Sequence, residues 1–107
     1  MATTTFKSVQ ATTTTSLTGI YTAPSSTTSM VTVLQATNTG SSSATIDVAF
    51  TDTSASTTKY AAKAIVVNPG SSIGLLAGPI VLETGDILKI YGSATTIDVV
   101  GSISETA

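Results

Sequence analysis

The chain lacks the side chains on which most enzyme active sites depend. Its 107 residues include no cysteine and no histidine. Without them, the Ser-His triad, the cysteine nucleophile, typical zinc sites and the most common general base are excluded. Disulfides are excluded as well, so stability must come from packing or from association. The sequence therefore predicts a protein that is not an enzyme, with no catalytic, cofactor-binding or metal-binding residues and no cofactor.

Charge and aromatic side chains are also scarce. Charged residues make up 9% of the chain, against roughly 25% in an ordinary soluble domain. The basic residues are four scattered lysines, and aromatic residues amount to 5%. Because phosphate binding needs clustered basic groups and bases stack on aromatics, nucleic acid is not an expected partner. Threonine and serine fill the polar positions, which suits close packing against neighbours because few ions must be desolvated.

Long hydrophobic runs are missing too. No segment approaches the roughly 20 apolar residues that span a bilayer. The start of the sequence, MATTTFKSVQATTTT, has no apolar region of signal-peptide length and no cleavage pattern. The sequence therefore predicts no membrane partner and a protein made in the cytosol.

What the chain does contain is a series of short apolar runs separated by turns. The clearest stretch covers residues 66–91, where Asn68-Pro69-Gly70, Gly78-Pro79 and Glu83-Thr84-Gly85-Asp86 each favour a sharp reversal, because Pro fixes φ and Gly readily takes positive φ. The apolar runs between these turns have the length of strands. No helix fits this stretch.

The whole chain predicts eight short strands. They cover residues 17–22, 29–37, 44–51, 59–67, 71–76, 79–82, 86–91 and 96–104. In the second strand Met30, Leu34 and Ala36 are predicted on one face, with Val31 and Val33 on the other. Alanine-rich composition leaves a short helix open at residues 59–67, but alternation and a β-branched end favour a strand. The predicted fold class is all-β, a single antiparallel β-sandwich that is jelly-roll-like or Ig-like.

The cleanest alternation lies in residues 44–51. There Ala44, Ile46, Val48 and Phe50 are predicted to face inward, and Thr45, Asp47, Ala49 and Thr51 outward. Residues 1–16 are almost wholly small or polar, so we predict an extended N-terminal arm there and a β-sandwich domain over residues 17–107. The arm is either a frayed terminus or a strand that adds to a neighbouring subunit's sheet edge.

The carboxylates offer the remaining candidates for chemistry. Asp47 and Asp98 are both predicted mid-strand on an outer face, where they could form a glycosidase-like pair. The alternative is that each is a solvated residue that deters edge association. Asp52 and the turn Glu83–Asp86 could contribute to a calcium site, but their spacing matches no calcium-binding repeat and a simple hairpin turn is favoured.

The three tyrosines, Tyr21, Tyr60 and Tyr91, are candidates for interface anchors, since Tyr is enriched at interfaces. A half-buried Tyr at a sheet margin is the ordinary alternative.

Three pieces of the sequence, taken in order, resemble small structural proteins of tailed phages. They are IYTAP at 20–24 followed by MVT at 30–32, NTGSS at 38–42 before a strand, and PIVL at 79–82 with GDILKIY at 85–91 before the final strand. The resemblance covers roughly residues 17–104. It rests on turns and strands rather than on a catalytic signature, and it carries over no catalytic residue.

The resemblance implies a non-enzymatic virion protein, made in the host cytoplasm. Members of such a group serve as head decoration, neck or tail-fibre components. The leading prediction is a capsid decoration or cement protein that binds the major capsid protein on the outer head surface as a trimer and stabilises capsomer contacts. Its contacts are expected on the N-terminal arm and nearby loops. The alternatives are a tail-fibre, neck or tail accessory protein and a carbohydrate-binding module for host attachment.

Overall fold

The computed structural model describes residues 3–107, which form nine β-strands. The strands are β1 (Thr4–Thr12), β2 (Thr18–Thr22), β3 (Thr28–Asn38), β4 (Ala44–Asp52), β5 (Thr57–Val67), β6 (Ser72–Gly74), β7 (Ile80–Leu82), β8 (Ile87–Gly92) and β9 (Ile97–Thr106). Within residues 3–107 there is no helix long and apolar enough to cross a membrane.

The strands form two antiparallel sheets that pack face to face. Sheet 1 has the order β1-β9-β3-β6, with β7 also paired to β3, and sheet 2 has the order β2-β8-β4-β5. The first strand thus lies beside the last and the second beside the last but one, which is the wrapped-hairpin order of a jelly roll. The predicted antiparallel β-sandwich is confirmed, and its order is that of the jelly-roll alternative.

The two shortest strands share one position in sheet 1. β7 pairs with residues 29–31 of β3 and β6 pairs with residues 35–37. Nine strands therefore occupy eight positions of the sandwich. All eight predicted strands are present with boundaries shifted by at most two residues, and residues 59–67, where a helix was left open, lie within β5.

The ninth strand lies within the predicted arm. β1 pairs antiparallel with β9 along its whole length, from Thr4 opposite Thr106 to Thr12 opposite Asp98. Residues 4–12 therefore form a strand of the chain's own sheet rather than a frayed end. Addition of the arm to a neighbouring subunit and a domain boundary at residue 16 stay predictions, and residues 1 and 2 of the arm lie outside the described residues.

The core lies between the sheets and is built from alternate residues of the long strands. In β4, the predicted inward residues Ala44, Ile46 and Val48 are buried, and Phe50 packs against the core. The prediction for β3 is correct in placing Leu34 and Ala36 on one face, since both are buried, but wrong in grouping Met30 with them and Val31 with Val33. A register shift opposite β9 lies between Val31 and Val33, and an extra residue there changes the alternation.

As a result of this bulge, Val31 and Leu34 both point inward, where they are 0% and 2% exposed. Met30 and Val33, which were predicted on different faces, are both exposed. The bulge therefore decides which apolar side chains of β3 face outward, and it places Met30 and Val33 together on the outside of sheet 1.

Candidate functional site: the outer face of sheet 1

The two carboxylates considered as a catalytic pair lie on opposite sides of the sandwich. Asp47 belongs to β4 in sheet 2, and Asp98 belongs to β9 in sheet 1. The chain neighbours of each aspartate are core residues, so each aspartate points away from the core, out of a different sheet. The glycosidase-like pair is therefore not formed.

Asp47 is buried although it points outward from sheet 2. It is 4% exposed, and its carboxylate accepts hydrogen bonds from Lys63 Nζ at 2.9 Å and from the backbone N–H of Ala64 at 2.7 Å. The prediction of a solvated residue is wrong for Asp47, because an irregular segment of β5 folds over it. The hydrogen bond to Asp47 raises the pKa of Lys63.

That irregular segment is held in an uncommon conformation. The register of β4 and β5 shifts between Ile46 and Val48, and Ala64 has a φ of 52°, in the left-handed region that favours glycine. Lys63 Nζ also lies 4.5 Å above the centre of the Tyr60 ring. Asp47 therefore serves to fix this bulge of β5.

The other candidate carboxylates stabilise turns. Asp52 accepts hydrogen bonds from Ser54 Oγ and Ala55 N, and the bond from Ser54 is the main reason that its pKa is lowered. The carboxylate of Asp86 accepts from the backbone N–H groups of Thr53 and Glu83. Within the described residues, no three or more His, Cys, Asp or Glu side chains are grouped as metal ligands. The calcium hypothesis gains no support from these positions.

Tyr21 joins the two sheets rather than serving an external surface. Its hydroxyl donates to Glu105 and lies 2.8 Å from Ser29 Oγ, while Lys7 Nζ lies 3.2 Å from the other Glu105 oxygen. The hydrogen bond from Tyr21 is the main cause that lowers the pKa of Glu105, and Lys7 adds to it. Burial, followed by the contact with Glu105, raises the pKa of Tyr21. Tyr21 is therefore a structural cross-link.

The outer face of sheet 1 carries a row of exposed apolar side chains. Phe6 of β1 and Met30 of β3 both lie opposite Ser104 of β9, and Val81 of β7 lies opposite Met30. Phe6 is 81% exposed, Met30 38% and Val81 54%. Because directly paired residues share a face of a sheet, these side chains form one line across sheet 1.

Two valines extend this row along the strands. Val33 lies opposite Ser102, two residues along β9 from Ser104, and Val100 lies two residues further. They are 53% and 47% exposed. The exposure of Met30 and Val33 was missed because the bulge has no clear sequence signal. Phe6 is a large apolar residue among mainly small and polar ones, and it could have indicated that residues 4–12 form a strand.

Charge is nearly absent from this face. Among the described residues, the outward strand positions of sheet 1 that are not apolar are Thr4, Ser8, Gln10, Thr12, Thr28, Thr32, Gln35, Thr37, Ser72, Gly74, Asp98, Ser102, Ser104 and Thr106. Asp98 is the charged residue in this set, and its carboxylate accepts a hydrogen bond from Thr12 Oγ1 at 3.1 Å. It lies six residues along β9 from Ser104, or about 20 Å at ~3.3 Å per residue. An uncharged face with clustered apolar groups is suited to binding another surface.

No family model matches this sequence, and no curated protein matches it. The resemblance to tailed-phage structural proteins therefore stays a prediction at the level of the family. Solved structures with a similar fold include proteins of a virus particle and of a pilus.

A protein of the Bacillus endospore appendages, a family of disulfide-linked pili, superposes with a TM-score of 0.58 at 19% identity, covering 98% of this chain and 86% of its own. A protein of the T13 particle of infectious bursal disease virus superposes at 0.57 with 12% identity over 96% of this chain. One from the Gx strain of that virus gives 0.58 with 12% identity over 99%. This chain spans about a third of the two viral proteins, 31% and 32%. Identities this low show the fold alone.

Proposed function

We propose that this chain is a non-enzymatic structural protein of a phage virion, bound to the outer surface of the head as a decoration or cement protein. The observation that carries the proposal is the outer face of sheet 1, where Phe6, Met30 and Val81 form an exposed row on a nearly uncharged surface. Such a face favours association with protein surfaces.

The fold supports a role in a repetitive assembly. A jelly roll is a frequent architecture of capsid subunits, and the neighbours from a virus particle and a pilus are multi-copy structures. This chain has no cysteine, so its contacts cannot be disulfide-linked as in the Bacillus appendages. Many weak non-covalent contacts to adjacent capsomers would instead multiply through avidity. Its proposed partner is the major capsid protein, with the chain bound as a trimer.

Cryo-electron microscopy of the purified particle tests the location. Hundreds of copies on the outer head surface, together with a lower rupture temperature of particles that lack the protein, are the expected result. Copies found only on the tail, in a few dozen or fewer, would overturn the cement role and leave the tail-fibre, neck or tail accessory alternative.

A second candidate is a subunit that builds the shell or filament itself. It is favoured by the superposition of almost the entire chain on a pilus protein. Electron microscopy of the purified chain alone tests it, since shells or filaments would form without any other virion protein. If the purified chain stays as dispersed monomers or small oligomers at all concentrations, this candidate is excluded.

The carbohydrate-binding alternative depends on exposed aromatics. Tyr60 is 49% exposed beside Lys63 on the outer face of sheet 2, whereas Tyr21 points inward and is occupied by Glu105. A glycan array without signal above background would remove this alternative.

A further inference from the structure

We infer that the outer face of sheet 1 binds the same face of a second copy of this chain, so that two sandwiches pack sheet against sheet about a two-fold axis. The place of this contact in a virion rests on the proposed function, but the contact itself can be measured without any particle. A two-fold contact of this kind forms a dimer or joins subunits of neighbouring trimers.

The arrangement of the apolar residues fits a symmetric contact. Val33 and Ser102 form the middle row of the apolar set, with Phe6, Met30 and Val81 one row to one side and Val100 one row to the other. The two-fold axis runs along the middle row, parallel to the sheet and perpendicular to its strands. It lays the row of Phe6 over the row of Val100 in the second copy. Val33 then faces Val33, and Val100 of each copy lies over Ser104 of the other, between Phe6 and Met30.

The charge of the face also suits a second copy. A surface that binds itself must not carry clustered charge of one sign, because the same charges would meet. Asp98 is four residues along β9 from Ser102, so the two-fold axis places the two carboxylates about 26 Å apart at ~3.3 Å per residue. That separation exceeds the Debye length of roughly 8 Å at physiological salt, and their repulsion is screened.

The size of the face sets the expected strength. Four strand positions at ~4.8 Å and ten residues at ~3.3 Å give about 600 Å² per copy. Two copies would bury about 1,200 Å² together, at the lower limit of stable interfaces. A dimer that forms with rising concentration is therefore expected, rather than one that never dissociates.

The outer face of sheet 2 is a much poorer surface for self-association. It carries the ion pair of Asp47 with Lys63, and the ammonium group of Lys63 is largely exposed, with 63% of its side chain accessible. Lys89 of β8 points out of the same face, opposite Ala49. Two identical copies of this face would bring lysines together and desolvate them.

The experiment compares two valines of similar exposure on the two outer faces. Val33 on sheet 1 is 53% exposed and Val66 on sheet 2 is 57% exposed, so Val33→Lys and Val66→Lys make the same chemical change. Sedimentation equilibrium is measured over a wide concentration range for both variants and the wild type. Val33→Lys should weaken self-association at least tenfold, because two lysines face each other, whereas Val66→Lys should change it less than twofold.

A mixing experiment tests whether the outer face of sheet 1 binds a second copy of the chain. Val33→Asp alone should associate at least tenfold more weakly than the wild type, as Val33→Lys does, but an equimolar mixture of the two variants should regain the association of the wild type. Only contact between the same position of two copies predicts this rescue. Circular dichroism of each variant establishes that it is folded.

Other results would overturn the inference. One is that the wild type stays monomeric up to millimolar concentration. Another is that Val33→Lys and Val66→Lys weaken self-association equally. A third is that the mixture of Val33→Asp and Val33→Lys fails to associate. If the wild type is monomeric and Val33→Lys loses binding to the particle, the face binds the capsid instead, and the proposed function stands without this contact. If the rescue succeeds but the protein never binds a head, the contact stands and the cement role fails.

Discussion

The outer face of sheet 2 covers a carboxylate, although it also exposes Val66 and Tyr60, whereas the outer face of sheet 1 exposes a row of large apolar side chains. On sheet 2, outward-pointing Asp47 is 4% exposed and its neighbour Ala49 is 0% exposed. On sheet 1, outward-pointing Phe6 is 81% exposed and Val33 is 53% exposed. An acid is thus covered on one face while large apolar groups are uncovered on the other. Pointing away from the core and being exposed to solvent are therefore different properties of a residue.

Irregularities in two strands account for much of this difference. In β5 the irregular segment at Lys63 and Ala64 folds over Asp47, so a carboxylate becomes part of the internal hydrogen bonding. In β3 the bulge between Val31 and Val33 turns Thr32 and Val33 outward in succession. The irregular segment of β5 covers a carboxylate, and the bulge of β3 decides which apolar side chains face solvent.

The largest expected effect comes from the glycine beside the β3 bulge. A Cβ on Gly101 would lie 2.6 Å from the backbone oxygen of Val33 and 3.0 Å from Leu34. Since backbone cannot yield easily, Gly101→Ala should lower the free energy of unfolding by about 3 kcal/mol, measured by denaturant titration. Gly74→Ala in the same sheet is the matched control, because its Cβ would meet no atom within 4 Å. Equal stability of the two variants would mean that the bulge can move without penalty.

Asp47 tests whether the sheet 2 face depends on its buried carboxylate. Asp47→Ala leaves the N–H of Ala64 without its partner and should lower the free energy of unfolding by about 2 kcal/mol. Asp98→Ala, which removes an exposed carboxylate bonded to Thr12, should change it by less than ~0.5 kcal/mol. A comparable loss in both variants would contradict the contrast between the faces.

The link between the sheets should appear in the acid dependence of stability. The folded-state pKa of Glu105 lies below its ordinary 4.5, so its contribution is present above that pH and is lost as pH falls through the folded-state pKa. Tyr21→Phe removes the main cause of the shift, so it should lower stability at pH 7 by about 1 kcal/mol and flatten the decline of stability as pH falls below 4.5. Thermal unfolding at several pH values measures both effects.

Tyr60→Phe is the control for this pH profile, since the Tyr60 ring under Lys63 is kept and Glu105 is untouched. Its curve should run parallel to that of the wild type. If the stability of Tyr21→Phe falls with pH as steeply as that of the wild type, another group controls the acid dependence of stability.

The sequence was sufficient for the fold class and for the strands from β2 to β9, but not for β1 or for the faces. Alternation in residues 44–51 and turns such as Asn68-Pro69-Gly70 located the strands, because alternating burial and restricted φ angles are visible in the local sequence. β1 was missed since, apart from Phe6 and Val9, it consists mainly of small and polar residues, and its pairing with β9 depends on a partner about 90 residues away. Long-range pairing of that kind has no local signature.

The site was harder to predict for a related reason. Asp47 and Asp98 look alike in sequence, each outward between core residues, and only the assignment of their strands to different sheets separates them. The alternation of β3 fails at one position, and that single extra residue decides which apolar side chains face solvent. Neither the sheet order nor a bulge can be read from the period of two.

The smallest effect on folding, and the most informative for the outer face of sheet 1, is expected for Phe6→Ser. Because Phe6 is 81% exposed, its removal should change the unfolding free energy of dilute protein by less than ~0.5 kcal/mol. At high concentration the wild type should gain thermal stability, since association stabilises the folded state, and Phe6→Ser should gain less. Leu17→Ser, which alters an apolar residue at 38% exposure outside the strands, should keep the concentration dependence of the wild type. If Phe6→Ser and the wild type respond equally to concentration, the exposed row does not take part in self-association and the two outer faces differ in composition without differing in use.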